Sequence, residues 1–221
     1  MTLSIPNPWL ALPASAPFVA PEDAKILASL RNPPRGDWAL RLDLPPQPWT
    51  GNITTAEVLM LALNPGFAEA DYVEFQHPDY ASQWRLALTF QTRTPFYFLD
   101  PAFSMTGGSR WWRPRLRDLI EVAGIKAVAE KVMCVEHFPY KSTKYKALGV
   151  TLPSQQYSFE IVREAIRQRK QIVVMRSEQV WLGSVPELRS YPYIRLTNHQ
   201  NPHLSRAQMT GEQFDRVCAA L

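Results

Sequence analysis

The sequence predicts an α/β protein, a three-layer α/β/α sandwich around a central four-stranded parallel sheet. Three observations predict it. From residue 57 onward, short apolar runs bounded by turn residues recur along the chain. Stretches with helical apolar spacing fall between them. Strands that alternate with helices imply a parallel sheet covered on both faces. The first run, 58–63, is continuously apolar, as a strand buried on both sides must be, and stops abruptly at Asn64, Pro65 and Gly66. The chain has 221 residues, enough for one such domain with a full core.

Taken in order, the first fifty residues hold 10 of the 20 prolines. They read as an extended wrap around the domain with one short helix at about 21–30. Pro21 suits the first turn of that helix, and Glu22 and Asp23 suit its positive end. Trp9, Phe18, Trp38 and Trp49 are expected to pin the wrap to the core, since a disordered tail carries few large aromatics. Residues 1–54 are accordingly expected to be an extension packed on the core, and 55–221 the α/β/α domain. After the first strand, further strands are expected at 132–135, 172–175 and 193–196. A helix at about 114–123 ends at Gly124, a natural stop. Another at about 154–170 carries Phe159, Ile161, Val162 and Ile166 at near-helical spacing. Ser177 is placed to cap a short helix containing Val180 and Trp181. Thr210 and Gln213 form a capping-box pattern before a last helix with Phe214, Val217, Cys218 and Leu221 on its apolar face.

Composition excludes several classes. No run approaches the ~18 apolar residues of a membrane span. The start of the chain lacks the basic and apolar regions of a signal peptide. Cys134 and Cys218 lie in apolar surroundings and read as small buried residues, which fits a reducing cytoplasm. Two cysteines cannot supply a four-cysteine zinc or iron–sulfur site. Residues 1–109 carry 6 basic and 10 acidic side chains, against 18 and 10 in residues 110–221, so the net charge of +4 conceals a strongly basic second half. Gathered on one face, that excess would attract a polyanion; dispersed, it is a solvated surface.

Four polar segments follow the four strands and would meet at one sheet edge, the edge where ligands sit in open α/β sheets. They are 64–67, 136–142, 176–177 and 197–206. Asn64 stands at the lip of the first strand. Pro65 ends the ladder because it has no N–H, and Gly66 lets a ligand approach or takes a positive φ. Glu136 is the one carboxylate placed directly at a strand end. His199 and His203 are four apart, but Asn201-Pro202 between them favours a loop, and no Glu accompanies them in a zinc-protease pattern. No metal and no cofactor are expected. Either histidine could donate a hydrogen bond to a base or phosphate, or be a satisfied structural residue. Gly107-Gly108 precedes a helix and could offer N–H groups to phosphate, although it lacks a nucleotide-loop spacing. Arg110, Arg113, Arg115 and Arg117 flank Trp111 and Trp112. They form either a surface that tracks a backbone and stacks bases, or solvated arginines around core tryptophans. Lys141, Lys144 and Lys146 with Tyr140 and Tyr145 pose the same alternative.

Together these segments resemble the uracil-DNA glycosylase superfamily, over roughly residues 55–220. In its mismatch-specific branch the first motif is Gly-Ile-Asn-Pro-Gly, and here the first strand ends in Ala62-Leu63-Asn64-Pro65-Gly66. The family's last motif, of the His-Pro-Ser-Pro-Leu-Ser type, resembles Asn201-Pro202-His203-Leu204-Ser205. The resemblance implies removal of a damaged or deaminated base that has been flipped out of DNA. On that footing Asn64 would position the attacking water. His199 or His203 would stabilise charge on the departing base. Pro65, Gly66, Phe67 or Phe75, Asn201 and Ser205 would hold the base, and Leu204 would fill the gap it leaves. Arg110, Arg113, Lys141, Lys144 and Arg206 would hold phosphates. Where the family reads the base with Asn, this chain has Glu136 or His137, so a base other than uracil is open. The expected partner is nucleic acid, with DNA favoured, and the expected unit is a monomer without membrane contact. Two alternatives remain beside it: a non-catalytic nucleic-acid-binding module on the same fold, and an enzyme acting on a free nucleotide.

Overall fold

A computed structural model describes residues 3–221; Met1 and Thr2 of the N-terminal extension lie outside the described residues. The protein is α/β. Strands β1 (Trp49–Thr50), β2 (Val58–Ala62), β3 (Val132–Glu136), β4 (Gln171–Val174) and β5 (Ile194–Arg195) form one sheet in the order β1-β3-β2-β4-β5. The last four are mutually parallel where they pair. Val58 lies opposite Val132 and Ala62 opposite Glu136, while Leu59 pairs with Ile172 and Val173 with Ile194. The expected four-stranded parallel sheet is thus corrected to a five-stranded mixed one. Trp49 and Thr50 add an antiparallel edge strand against Val135 and Cys134. Its flanks extend the pairing, because Pro48 O accepts from Glu136 N and Gln47 N donates to Pro139 O. Proline is tolerated there since an edge strand needs N–H groups on one side only. Two residues inside a proline-rich run leave no alternation to read in sequence.

The helices are α1 (Pro21–Ala28), α2 (Ala70–Gln76), α3 (Pro78–Leu88), α4 (Gly107–Arg115), α5 (Arg117–Ala123), α6 (Ile125–Lys131), α7 (Gln155–Arg167), α8 (Glu178–Ser184) and α9 (Gly211–Ala219). The helix expected at 114–123 starts at Gly107 instead and breaks after Arg115. Pro114 lies inside the last turn of α4, where its missing N–H forfeits a helical bond. The N-terminus of α4 is capped by Thr106, whose hydroxyl accepts from Ser109 N. Ser177 does not cap α8 with its side chain; it sits in the left-handed region at φ 55°, and only its carbonyl accepts from Val180 and Trp181. The capping box of Thr210 and Gln213 is formed in both directions.

Strand alternation divides the interior into two cores. Leu59, Leu61, Met133, Val135, Ile172 and Val174 face Phe159, Ile161 and Trp181 from α7 and α8. Met60, Cys134 and Val173 face Trp112, Leu119, Val128 and Phe214 from α4, α5, α6 and α9. The N-terminal extension belongs to the first core. Trp9 and Trp49 are buried and Phe18 is half-buried, but Trp38 is 45% exposed, against expectation. The Lys144 ammonium lies 5.6 Å from the Trp38 ring, so that indole keeps a partner at the surface. Cys134 is buried and Cys218 half-buried, both as free thiols. Among the described residues no helix is long and apolar enough to cross a membrane, and no three metal-ligating side chains gather.

Candidate functional site

Beyond the carboxyl ends of β2 and β3 their chains continue side by side. Phe138 N donates to Leu63 O at 2.8 Å, and Gly66 pairs with Ser142 in a parallel bridge. This zipper fixes Asn64. Its Nδ2 donates to Ser142 Oγ at 3.0 Å and to Pro65 O at 3.1 Å. A carbonyl only accepts, so the amide nitrogen must face it. Asn64 Oδ1 then takes no hydrogen bond from any described residue. Asn64 lines a cleft of about 580 Å³, a volume suited to a small ligand.

The cleft floor is charged. Glu136, the last residue of β3, lines it. Its Oε2 is shielded from solvent without a hydrogen-bond partner, and its Oε1 meets only the Cys134 thiol at 3.9 Å. Burial pushes this carboxyl up to about 8, against the opposite pull of Arg176 and Lys141. Lys141 is itself buried, ion-paired to Asp71 at 3.0 Å. Arg176 lines the same floor; its Nη2 donates to Gln200 O, and its Nε is buried without a partner. Aromatic walls come from Phe67, under the Arg41 guanidinium at 4.3 Å, and Trp111, under that of Arg115 at 3.7 Å. Arg110 and Lys144 stand at the rim, and Lys144 pairs with Asp37 at 2.8 Å.

Of the residues singled out in sequence, the cleft gathers Asn64, Pro65, Gly66, Phe67, Gly107, Gly108, Arg110, Trp111, Trp112, Glu136, Lys141, Ser142, Lys144, Tyr145 and Arg176. Gly66 has no positive φ, and a Cβ there would meet nothing within 4 Å. Its place leaves open space at the cleft and is not demanded by backbone strain. The structure does not bring the others to the cleft lining. Phe75 packs edge-on against Tyr80 and Trp84. His137 is a core residue between Phe159 and Trp181, 2.8 Å from Ser184 Oγ, and burial lowers it to about 4, so it stays neutral. His199 uses both ring nitrogens: Nδ1 lies 3.2 Å from Met175 O and Nε2 accepts from Arg195. His203 Nδ1 lies 3.2 Å from Pro114 O. Leu204 is fully buried in the second core and offers no surface to insert between bases. Asn201 accepts from Arg115, Ser205 N donates to His203 O, and Arg206 pairs with Asp215. Arg113 turns inward to Ser109 Oγ and Leu99 O.

Gly107 and Gly108 open α4, and the Gly107 N–H is not free for a phosphate because it donates to Glu74 Oε1 at 2.6 Å. Gly108 is required by packing: a Cβ there would sit 2.1 Å from the Phe98 ring. Gly108→Ala should therefore cost about 1–3 kcal/mol in a denaturant melt, and an unchanged midpoint would refute this fit. Asp71 and Glu74 join the cleft without a sequence signal of their own, and only their position just after strands points to Ser142 and Arg176.

The fold and cleft define an α/β protein with a polar cleft at the carboxyl edge of its parallel strands. Compared with family models, with curated proteins and with solved structures, the chain finds no match.

Proposed function

We propose that this protein hydrolyses the N-glycosidic bond of a damaged or deaminated base flipped out of nucleic acid, with DNA favoured. The observation that carries the reading is Asn64. It lines the cleft with its amide nitrogen held by Ser142 and Pro65, which leaves Oδ1 to orient a water. The strand order supports it too, since Asn-Pro-Gly follows a central parallel strand whose neighbours β3 and β4 also open on the cleft through Glu136 and Arg176. Phe67 and Trp111 bring aromatic surface to the cleft, each with one ring face already covered by an arginine. An uncharged amide is no strong base, so its contribution is positioning of water at the anomeric carbon. The unit that acts is a monomer in a reducing cytoplasm, without a resident cofactor.

The test uses end-labelled oligonucleotides, each carrying one uracil, hypoxanthine, xanthine or mismatched thymine, followed by alkali. Scission at the modified position is expected, and Asn64→Ala should slow it by about 10²–10³-fold with an unchanged melt. Full turnover in the mutant would overturn the assigned role. One observation favours a second reading, an enzyme on a free nucleoside or nucleotide. Lys141 and Lys144 are already ion-paired to Asp71 and Asp37, which leaves fewer cations for a long backbone. Thermal stabilisation by a small nucleotide and none by oligonucleotides would select it.

A further inference from the structure

A base that leaves a sugar carries away the bonding electron pair, and a proton delivered to it lowers the barrier. The histidines that sequence nominated for this task are committed elsewhere. Both nitrogens of His199 are engaged by Met175 O and Arg195, His203 lies against Pro114 O, and neither lines the cleft. Within the cleft, Lys141 Nζ donates to Asp71, and Glu74 Oε1 accepts from Gly107 N. Glu136 is different. It ends β3 directly opposite Ala62, two residues before Asn64, and its carboxyl has neither a donor on Oε2 nor an ion pair at contact distance.

We infer that Glu136 is the general acid of this site, handing its carboxyl proton to the departing base as the bond to the anomeric carbon breaks. The inference rests on the base-release reading above. The water held by Asn64 bonds to the anomeric carbon through oxygen. The electron pair of the broken bond goes to the base nitrogen, and the Glu136 proton goes to the base. The surplus proton of the water returns to the Glu136 carboxylate, so the acid is regenerated and nothing is oxidised or reduced. The charged and titratable groups that act on Glu136 are Arg176 after β4, Lys141 after β3, and Cys134 on its own strand. Arg176 and Lys141 favour the carboxylate, but burial outweighs them and sets the carboxyl at about 8. At neutral pH the larger share of Glu136 therefore holds its proton, which suits an acid for the bond-breaking step.

The experiment measures single-turnover base release by the full chain from pH 5 to 10. The substrates are an oligonucleotide carrying the base found to be released and one carrying an analogue made a better leaving group by an electron-withdrawing substituent. The wild-type rate should be level below about pH 8 and fall tenfold per pH unit above it. Glu136→Gln should lose about 100-fold at pH 7, lose the alkaline limb, and lose less on the better leaving group. Arg176→Gln, which removes a cation that favours the carboxylate, should move the limb to higher pH. A Glu136→Gln protein with the wild-type rate or an unchanged limb overturns the inference while base release stands, as does a limb that stays put in Arg176→Gln. No release by the wild type overturns the base-release reading, and this role with it.

Discussion

Asp23→Ala is expected to destabilise the protein by about 3–5 kcal/mol. Asp23 lies in the first turn of α1 and is completely buried. Its carboxylate accepts from Tyr140 OH at 2.7 Å, Ser154 N at 3.0 Å and Ser154 Oγ at 2.5 Å. Removing it strands three buried donors, each worth about 1–3 kcal/mol when left without an acceptor. For a chain of this size that loss is a fall in Tm of roughly 8–15 °C. Asp23→Asn keeps one acceptor oxygen and should lose about half as much. A change under about 1 kcal/mol in Asp23→Ala would show that the network relaxes around the gap. The effect should reach the site. Tyr140 precedes Lys141 and Ser142, and the same segment is tied to the extension through Gln47 N to Pro139 O and Arg41 N to Lys141 O. Since Ser142 holds Asn64, a segment freed on its outer side loosens the amide proposed to position water.

That coupling explains which parts of the protein were legible in its sequence. β2, β3 and β4 were, because a strand buried on both faces must be a short continuous apolar run. β5 shrank to two residues, and β1 was hidden, because its pairing partner is set by tertiary packing of a proline-rich segment. α2 and α3 were missed because their surfaces are mixed: Val73 is exposed while Tyr80 and Trp84 are buried. Within the site, Asn64 and Glu136 could be read from their position at strand ends. The sequence offers Glu136 and His137 alike, although successive residues along an extended segment point to opposite faces. Glu136 turns to the cleft, and His137 turns to Phe159 and Trp181 in the first core. Trp111 and Trp112 both reach the cleft lining from α4, Trp111 half-buried and Trp112 buried edge-on against Phe96. The burial of Leu204 had no signal, since a leucine in a polar loop reads as exposed until the neighbouring helices are placed.

Glu136→Gln should stabilise the protein by roughly 3–5 kcal/mol at pH 9 and by nearly nothing at pH 4. In the unfolded chain this carboxyl ionises near its ordinary value of 4.5, whereas in the folded protein it ionises at about 8. Between those two values the unfolded state has released a proton that the folded state still holds. Stability attributable to Glu136 is therefore complete below about 4.5, declines as pH rises, and is lost once pH passes about 8. A shift of this size corresponds to about 1.4 kcal/mol per pH unit. Glutamine has nearly the same shape and no ionisation, so it removes the decline and keeps the packing. His137 acts in the other direction: burial holds it near 4, so stability falls as pH drops from about 6.5 to 4. That effect is common to wild type and variant and cancels in their difference. Urea melts of both proteins at pH 4, 6, 7.5 and 9 isolate the Glu136 contribution. A difference that grows with pH establishes a carboxyl kept neutral by burial at the cleft floor, and it does so without any substrate. A difference that is flat across the range would mean that Arg176 and Lys141 hold Glu136 ionised. The floor would then be a fixed anion able only to accept hydrogen bonds, and a role as proton donor would be closed to it.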